Sequence, residues 1–415
     1  MMEFGLGRIS RLLRGSSLPW KAIHVAGTNG KGSVCAYASA MLQASNVKCG
    51  RFTSPHLVDR WDCISVDEQT ISSRLFQETE YSVKSRDHVE GIGATEFEIL
   101  TAVAFEIFTK EKVEVGVVEV GMGGLHDATN VLEQPAVTVI TRIGEDHQLY
   151  LGDKLEDIAL HKAGIMKAQA TCLVDGGNTA SVIDVLRAYS DQVRSSCFRL
   201  VPNDLQDDVE AIYRGLGGHR YLPHQLVNIS LATVAVQTLL MELSRPTDLE
   251  LLLSAARETN WPGRLQHVVF RDPVNDPLPV LLDGAHNVLS AEALSLYAER
   301  HLRPQSPRLT WIIGISQGKH AREILSALLL PGDILIAVPF GPVAGMPWVQ
   351  AMAPEEIIAI AELVCSLEQT FVLHSSIDDA LRVAARVADH GSIVISGSLY
   401  LISDAIRLSR QQGAL

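Results

Sequence analysis

The sequence predicts an α/β protein of two domains, each built on a mostly parallel sheet flanked by helices, the second domain smaller and Rossmann-like. Three observations predict it. The chain has 415 residues, 47% hydrophobic and 20% charged, which suits two buried cores better than one. Short runs that are apolar on both faces alternate with helical stretches, the rhythm of strands covered by helices. The series is interrupted once, by the polar stretch from Arg271 to Pro277 with prolines at 273 and 277, and then resumes.

Taken in order, Ala22 to Ala26 reads as a strand, followed by a glycine-rich turn and a helix from about Lys31 to Ala44. Val115 to Val120 is too apolar on both faces for a surface hairpin and reads as a second buried strand. Ala136 to Ile140 and Cys172 to Val174 continue the first series. The second series consists of Val280 to Leu282, Leu309 to Ile313, Ile334 to Val338 and Ser392 to Ile395. Helical stretches near 288–301, 319–329, 353–365 and 376–388 lie between them. The boundary is placed at residue 265, giving domains of 1–264 and 265–415.

The formal charge of −13 opposes general binding to nucleic acid or to an anionic membrane, although a local cluster of donors can still hold a phosphate. No run of about eighteen apolar residues occurs, so no transmembrane helix is expected. The opening Met1-Met2-Glu3-Phe4 lacks a secretory layout. Arg8, Arg11 and Arg14 among Ile9, Leu12 and Leu13 read as an amphipathic first helix rather than an organelle leader. Six irregularly spaced cysteines without a Cys-x-x-Cys argue for a reducing compartment and buried thiols. The expected location is the cytoplasm, with a mitochondrial pool left open.

The sharpest motif is Gly27-Thr28-Asn29-Gly30-Lys31-Gly32-Ser33, between strand and helix. Glycines let backbone amides converge on phosphate oxygens, the helix N-terminus and lysine add positive charge, and a hydroxyl can reach Mg²⁺. Glu119, at the end of a buried strand and before Val120-Gly121-Met122-Gly123-Gly124, is placed to hold Mg²⁺ beside a triphosphate. His147 follows the next strand. Asp283-Gly284-Ala285-His286-Asn287 puts an acid, a histidine and an amide after a strand of the second domain, and Pro262-Gly263-Arg264 puts an arginine at the junction.

Together with Phe52-Thr53-Ser54-Pro55-His56-Leu57, Thr95-Glu96-Phe97-Glu98, Asp127-Ala128-Thr129-Asn130, Lys162-Ala163-Gly164-Ile165, Trp261-Pro262-Gly263-Arg264 and Gly397-Ser398-Leu399-Tyr400-Leu401, these motifs resemble, nearly end to end, the folylpolyglutamate synthase/dihydrofolate synthase branch of the Mur ligase superfamily. The length, the opening Phe4-Gly5-Leu6-Gly7-Arg8-Ile9, Gly345-Met346-Pro347-Trp348 and Pro354-Glu355-Glu356-Ile357 are similar to the fungal-type monofunctional dihydrofolate synthases.

The resemblance implies a Mur-ligase-type phosphate-loop domain and ATP-dependent joining of L-glutamate to 7,8-dihydropteroate through an acyl phosphate. Folylpolyglutamate synthase, a bifunctional enzyme and, outside catalysis, a nucleotide-binding switch are the alternatives. It implies that Thr28, Asn29, Gly30, Lys31, Gly32 and Ser33 hold ATP with Arg264 and Asp283. Ser33, Ser54, Glu119, His147 and a carbamylated Lys162 would serve two Mg²⁺ ions. Thr95, Phe97, Asp127 and Ala128 would hold the pteroate, and His286, Ser398 and Tyr400 the glutamate. The partners implied are small molecules, with no nucleic acid or membrane, and the state implied is a monomer. Leu125 and His126 stand where the family has Arg-Leu, and His161 where it has Glu, so the charge around the acid substrate is expected to differ.

Overall fold

A computed structural model describes residues 5–14, 18–217, 221–271, 277–389 and 391–413. Met1 to Phe4, and residues 272–276 of the loop expected between the domains, lie outside the described residues. The chain forms two compact units: Met1–His56 with Trp61–Thr259, and Asn260–Leu415 with the short segment Leu57–Arg60.

The first unit has eight strands: β1 (Lys21–Ala26), β2 (Cys49–Phe52), β3 (Ile64–Val66), β4 (Gln69–Thr70), β5 (Val115–Glu119), β6 (Val137–Ile140), β7 (Thr171–Asp175) and β8 (Cys197–Val201). Their order is β4-β3-β2-β5-β1-β6-β7-β8. The six from β2 to β8 are parallel, and β3 and β4 add an antiparallel edge. β1 lies between β5 and β6, with Val25 opposite Glu119 on one side and Val139 on the other. The strand ends on either side of β1 are thereby brought to one edge, where open parallel sheets place their ligands.

Helices cover both faces because both faces are apolar. On one, the helix Lys31–Ala44 packs with the helix Pro223–Glu242 through Val34, Met41, Ile229, Ala232, Val236 and Leu239. The latter helix has the length and hydropathy of a membrane span, but most of it is buried in this core. On the other face, Phe105 and Phe108 of the helix Glu96–Lys110 meet Trp20 edge-on, at 5.2 and 5.5 Å between ring centroids. Each ring taken fully out of water contributes roughly 1.5–3 kcal/mol.

The second unit has β9 (Gln266–Arg271), β10 (Pro277–Leu282), β11 (Thr310–Ile313), β12 (Ile334–Ala337), β13 (Gln369–Val372) and β14 (Ile393–Ser396). They are ordered β13-β12-β11-β14-β10-β9, parallel except for β9. β9 alternates buried and exposed residues, as an edge strand with one covered face does. Directly before β12, buried Asp333 accepts both Arg303 Nη1 and Nη2 (2.9 and 2.7 Å), Trp311 Nε1 and two backbone amides. A buried carboxylate is tolerable when its oxygens are satisfied in this way. All six cysteines are free, and Cys35, Cys49, Cys63 and Cys172 are buried.

Candidate active site

The phosphate loop leaves β1 through Gly27 and enters the helix Lys31–Ala44 through Gly30. Both glycines have positive φ, +147° and +94°. A Cβ at Gly27 would sit 1.8 Å from Thr141 Oγ1, and one at Gly30 2.5 Å from Asn228 Oδ1, so neither site admits a side chain. The amides of Thr28 and Asn29 donate to Arg142 O (2.8 and 3.1 Å), and Thr28 Oγ1 donates to Gly144 O at 3.0 Å. The amides of Thr28 and Asn29 strap the loop to the end of β6, and the amides free of intrahelical duty are those from Gly30 through Ser33 at the helix start.

Lys31 Nζ donates to Thr28 O at 3.2 Å and lies 3.8 Å from Glu119 Oε1. The other Glu119 oxygen accepts the amide of Ser54 at 3.2 Å. The structure thus brings together Lys31, Glu119 and Ser54, which are far apart in sequence. Lys162, on the helix Leu155–Ala163, reaches the same place from below: its Nζ donates to Gly27 O at 2.7 Å. Burial, reinforced by Lys31, lowers its pKa to about 7 against the pull of Asp146 and Asp127. His147 stands at the start of the one-turn helix Gln148–Leu151 with a left-handed backbone, and its half-exposed ring lies 4.0 Å from Asp146 Oδ2. Among the described residues no three His, Cys, Asp or Glu side chains form a metal cage. The oxygens of Glu119, Ser54 and Ser33 are donors of the hard kind that Mg²⁺ accepts.

Beside this cluster lies the loop from Gly121 to Asn130. Asp127 Oδ2 accepts Met122 N at 2.9 Å, and Oδ1 accepts both Thr129 N and Thr129 Oγ1 at 3.0 and 2.5 Å. Burial pushes its carboxyl above the usual range and these donors oppose that. Both Asp127 oxygens are engaged in shaping the loop. Ala128 is buried behind it. Thr95 caps the helix Glu96–Lys110 reciprocally with Glu98, whose carboxylate also pairs with Arg8 at 3.0 Å. Phe97 is the expected substrate residue whose ring is partly open; it stacks on Phe52 at 6.1 Å. The family-atypical His126 and His161 are neighbours, their rings 6.2 Å apart.

In the second unit, Arg264 Nη1 donates to Gly284 O at 3.3 Å. Asp283 accepts the amides of Leu265 and Ala285, both at 2.9 Å, so its oxygens fix the turn carrying Arg264. The carbonyl of Gly284 lies 2.8 Å from His286 Nδ1. A carbonyl only accepts, so Nδ1 carries the proton and Nε2 is the basic nitrogen. Ser398 is buried and caps the helix Leu399–Gln411 by accepting Tyr400 N. Tyr400 OH reaches Met346 Sδ at 3.7 Å.

Sequence reasoning missed His24, Thr141, Arg142 and Asn228, which build the loop's surroundings. The available signal was polarity out of place: Asn228 lies among the buried residues of a largely apolar helix and His24 among the apolar residues of a strand.

A family model described as the Mur ligase middle domain matches residues 25–183, and one described as the dihydrofolate synthetase C-terminal domain matches residues 266–408. The chain is 34% identical over 424 residues to the probable dihydrofolate synthetase of Schizosaccharomyces pombe, with 98% of both chains covered. It is 34% identical over 423 residues to the dihydrofolate synthetase of Saccharomyces cerevisiae, again with 98% of each covered. The folylpolyglutamate synthase of Mycobacterium tuberculosis, crystallised with ADP and AMPPCP, superposes with a TM-score of 0.79 at 27% identity, covering 97% of this chain and 95% of that one. The chain therefore belongs to the dihydrofolate synthase/folylpolyglutamate synthase family, ATP-dependent ligases built on Mur ligase domains.

Proposed function

We propose that the protein joins L-glutamate to 7,8-dihydropteroate at the expense of ATP, giving 7,8-dihydrofolate, ADP and phosphate. The observation that carries this over tail lengthening is the C-terminal match to the dihydrofolate synthetase domain, within an end-to-end likeness to two fungal dihydrofolate synthetases. The protein works as a monomer on small molecules, in the cytoplasm.

A carboxylate is a poor electrophile. Its oxygen attacks the γ-phosphorus, the bond to ADP breaks, and an acyl phosphate forms. The glutamate amine then attacks the acyl carbon, phosphate leaves with the C–O electron pair, and the amine gives up a proton. The first step brings two anions together, so fixed positive charge is the main requirement. Lys31 and the amides of Gly30 to Ser33 supply it at the phosphates, and Arg264 is the arginine suited to a second contact. Ser33, Ser54, Glu119 and His147 would hold Mg²⁺, which would supply charge neutralisation on the phosphates. Lys162, neutral in part near pH 7, is in the form that CO₂ carbamylates, which turns a cation into an anionic oxygen acceptor. His286 offers Nε2 to the amine proton. Phe97 provides a flat surface for the pterin, and Ser398 and Tyr400 frame the glutamate end.

The deciding assay is phosphate release with ATP, Mg²⁺ and L-glutamate, comparing 7,8-dihydropteroate with tetrahydrofolate. Release with dihydropteroate alone is expected. Release with tetrahydrofolate alone would make the protein a tail-lengthening enzyme. Glu119→Ala is expected to lower kcat by about 10²-fold or more and to raise the Mg²⁺ concentration needed for half-maximal rate. An unchanged Mg²⁺ titration would remove Glu119 from the metal site.

A further inference from the structure

His24 lies in the middle of β1, three residues before the phosphate loop, with no exposed surface. Its Nε2 is 2.8 Å from Thr129 Oγ1. That hydroxyl has one hydrogen and lies 2.5 Å from Asp127 Oδ1. Each Asp127 oxygen also faces a backbone amide, so the carboxylate accepts throughout and the Thr129 hydrogen points to it. Thr129 Oγ1 therefore accepts from His24, and the ring carries its proton on Nε2. Nδ1 is left as a bare acceptor, buried and without a hydrogen-bond partner. An unpaired buried polar atom costs stability, because its lost hydration is not replaced. Its strand neighbours Ile23, Val25 and Ala26 are apolar and fully buried, and a residue of that kind at position 24 would avoid the cost. Burial and Lys167 hold the ring's pKa down to about 3, so the neutral form persists at working pH.

We propose that His24 is a positioning residue for the ligase reaction, acting through Thr129 and Asp127 on the turn that follows Glu119. The connection is continuous. Asp127 Oδ2 holds Met122 N, three residues after Glu119. Asn130, the next residue after Thr129, donates from Nδ2 to Leu125 O at 3.0 Å and to Gly164 O at 3.1 Å. Gly164 directly follows the helix bearing Lys162. The Asp127-Ala128-Thr129-Asn130 segment thus clasps three elements: the strand leading into the phosphate loop, the turn after Glu119, and the end of the Lys162 helix. His24 touches no reacting atom. It fixes where the clasp sits relative to β1, and with it the spacing of Glu119 and Lys162. The inference rests on the functional reading above and adds to it two residues, His24 and Thr129.

The test uses the full-length enzyme with ATP, Mg²⁺, L-glutamate and the acid it turns over. Thr129→Val removes both links at nearly constant shape, and Thr129→Ser restores them. His24→Leu removes the donor, while His24→Gln keeps an amide donor near the Nε2 position. Thr129→Val and His24→Leu are expected to lower kcat by about 10–100-fold with ADP affinity, read by calorimetry, unchanged. Thr129→Ser and His24→Gln are expected to recover most of it. The ¹⁵N imidazole spectrum is expected to show Nε2 protonated and Nδ1 bare across neutral pH. Wild-type kcat in Thr129→Val, equal losses of kcat and ADP binding, no recovery in the conservative pair, or a protonated Nδ1 would each overturn the assignment. If Thr129→Val does not fold, the His24 pair and the spectrum decide. A wild type that turns over neither acid overturns the functional reading, and this inference with it.

Discussion

Lys31→Ala is expected to eliminate measurable ATP-dependent phosphate release, a fall of roughly 10³-fold or more, in a protein that still folds. The reason for the size is charge. The lysine is held at the mouth of the loop by Thr28 O and faces Glu119 Oε1 at 3.8 Å, so with nucleotide bound it is the one full positive charge of the phosphate-loop motif itself. Removing it leaves the helix-start amides in place, and some nucleotide binding should survive through them. Turnover should not, because the γ-phosphate gains negative neighbours as the acid approaches. The fold should persist, because Gly27 and Gly30 keep their conformations independently of the side chain and Glu119 keeps its Ser54 amide. The measurements are phosphate release, ADP titration and a circular-dichroism melt. A variant that turns over near the wild-type rate with a normal melt would show that the loop is not the phosphate site.

The strand–turn–helix at residues 22–44 was legible because a lysine among glycines at that place has few other uses. The buried parallel strands were legible because strands covered on both faces read as unbroken apolar runs. Strands at or near the edges were not. β8 and β13 are partly exposed along much of their length, and β2 carries Arg51 in its middle. Arg51 is tolerable there because its Nη1 donates to Glu68 Oε2 at 2.6 Å and to Ser39 Oγ at 2.8 Å, partners that no local pattern announces. The same limit applies at the site. Lys31, Glu119 and Lys162 could be singled out because each carries a charge at a strand end or in a motif. That Asp127 and Asp283 are each engaged by amides of their own turn was not legible, because a short loop gives no sign of which donors an aspartate will find. His24 went unread for the converse reason: its partner is 105 residues away.

Lys162→Met is expected to abolish turnover while changing stability in a pH-dependent way, and the two effects have separate causes. In the folded, metal-free protein burial holds the lysine pKa at about 7, against an ordinary value of 10.5. Between these values the unfolded chain binds the proton and the folded chain does not. Stability from this group therefore rises with pH across that window, and the full penalty applies below about pH 7. Methionine carries no such penalty. The variant loses the hydrogen bond to Gly27 O but should gain on the wild type as pH falls, so the difference in melting temperature between them should shrink from pH 6 to pH 10 if the variant starts ahead, and widen against it if it starts behind. A pH-independent difference would mean that the lysine is charged when folded. Activity reports the other property. A neutral amine takes up CO₂ and releases a proton, so bicarbonate should raise wild-type turnover from CO₂-depleted buffer and do nothing for Lys162→Met. Full wild-type rates in CO₂-free buffer would leave the lysine as a plain donor to Gly27, and a Lys162→Met enzyme that still turns over would deny it even a supporting part in the chemistry.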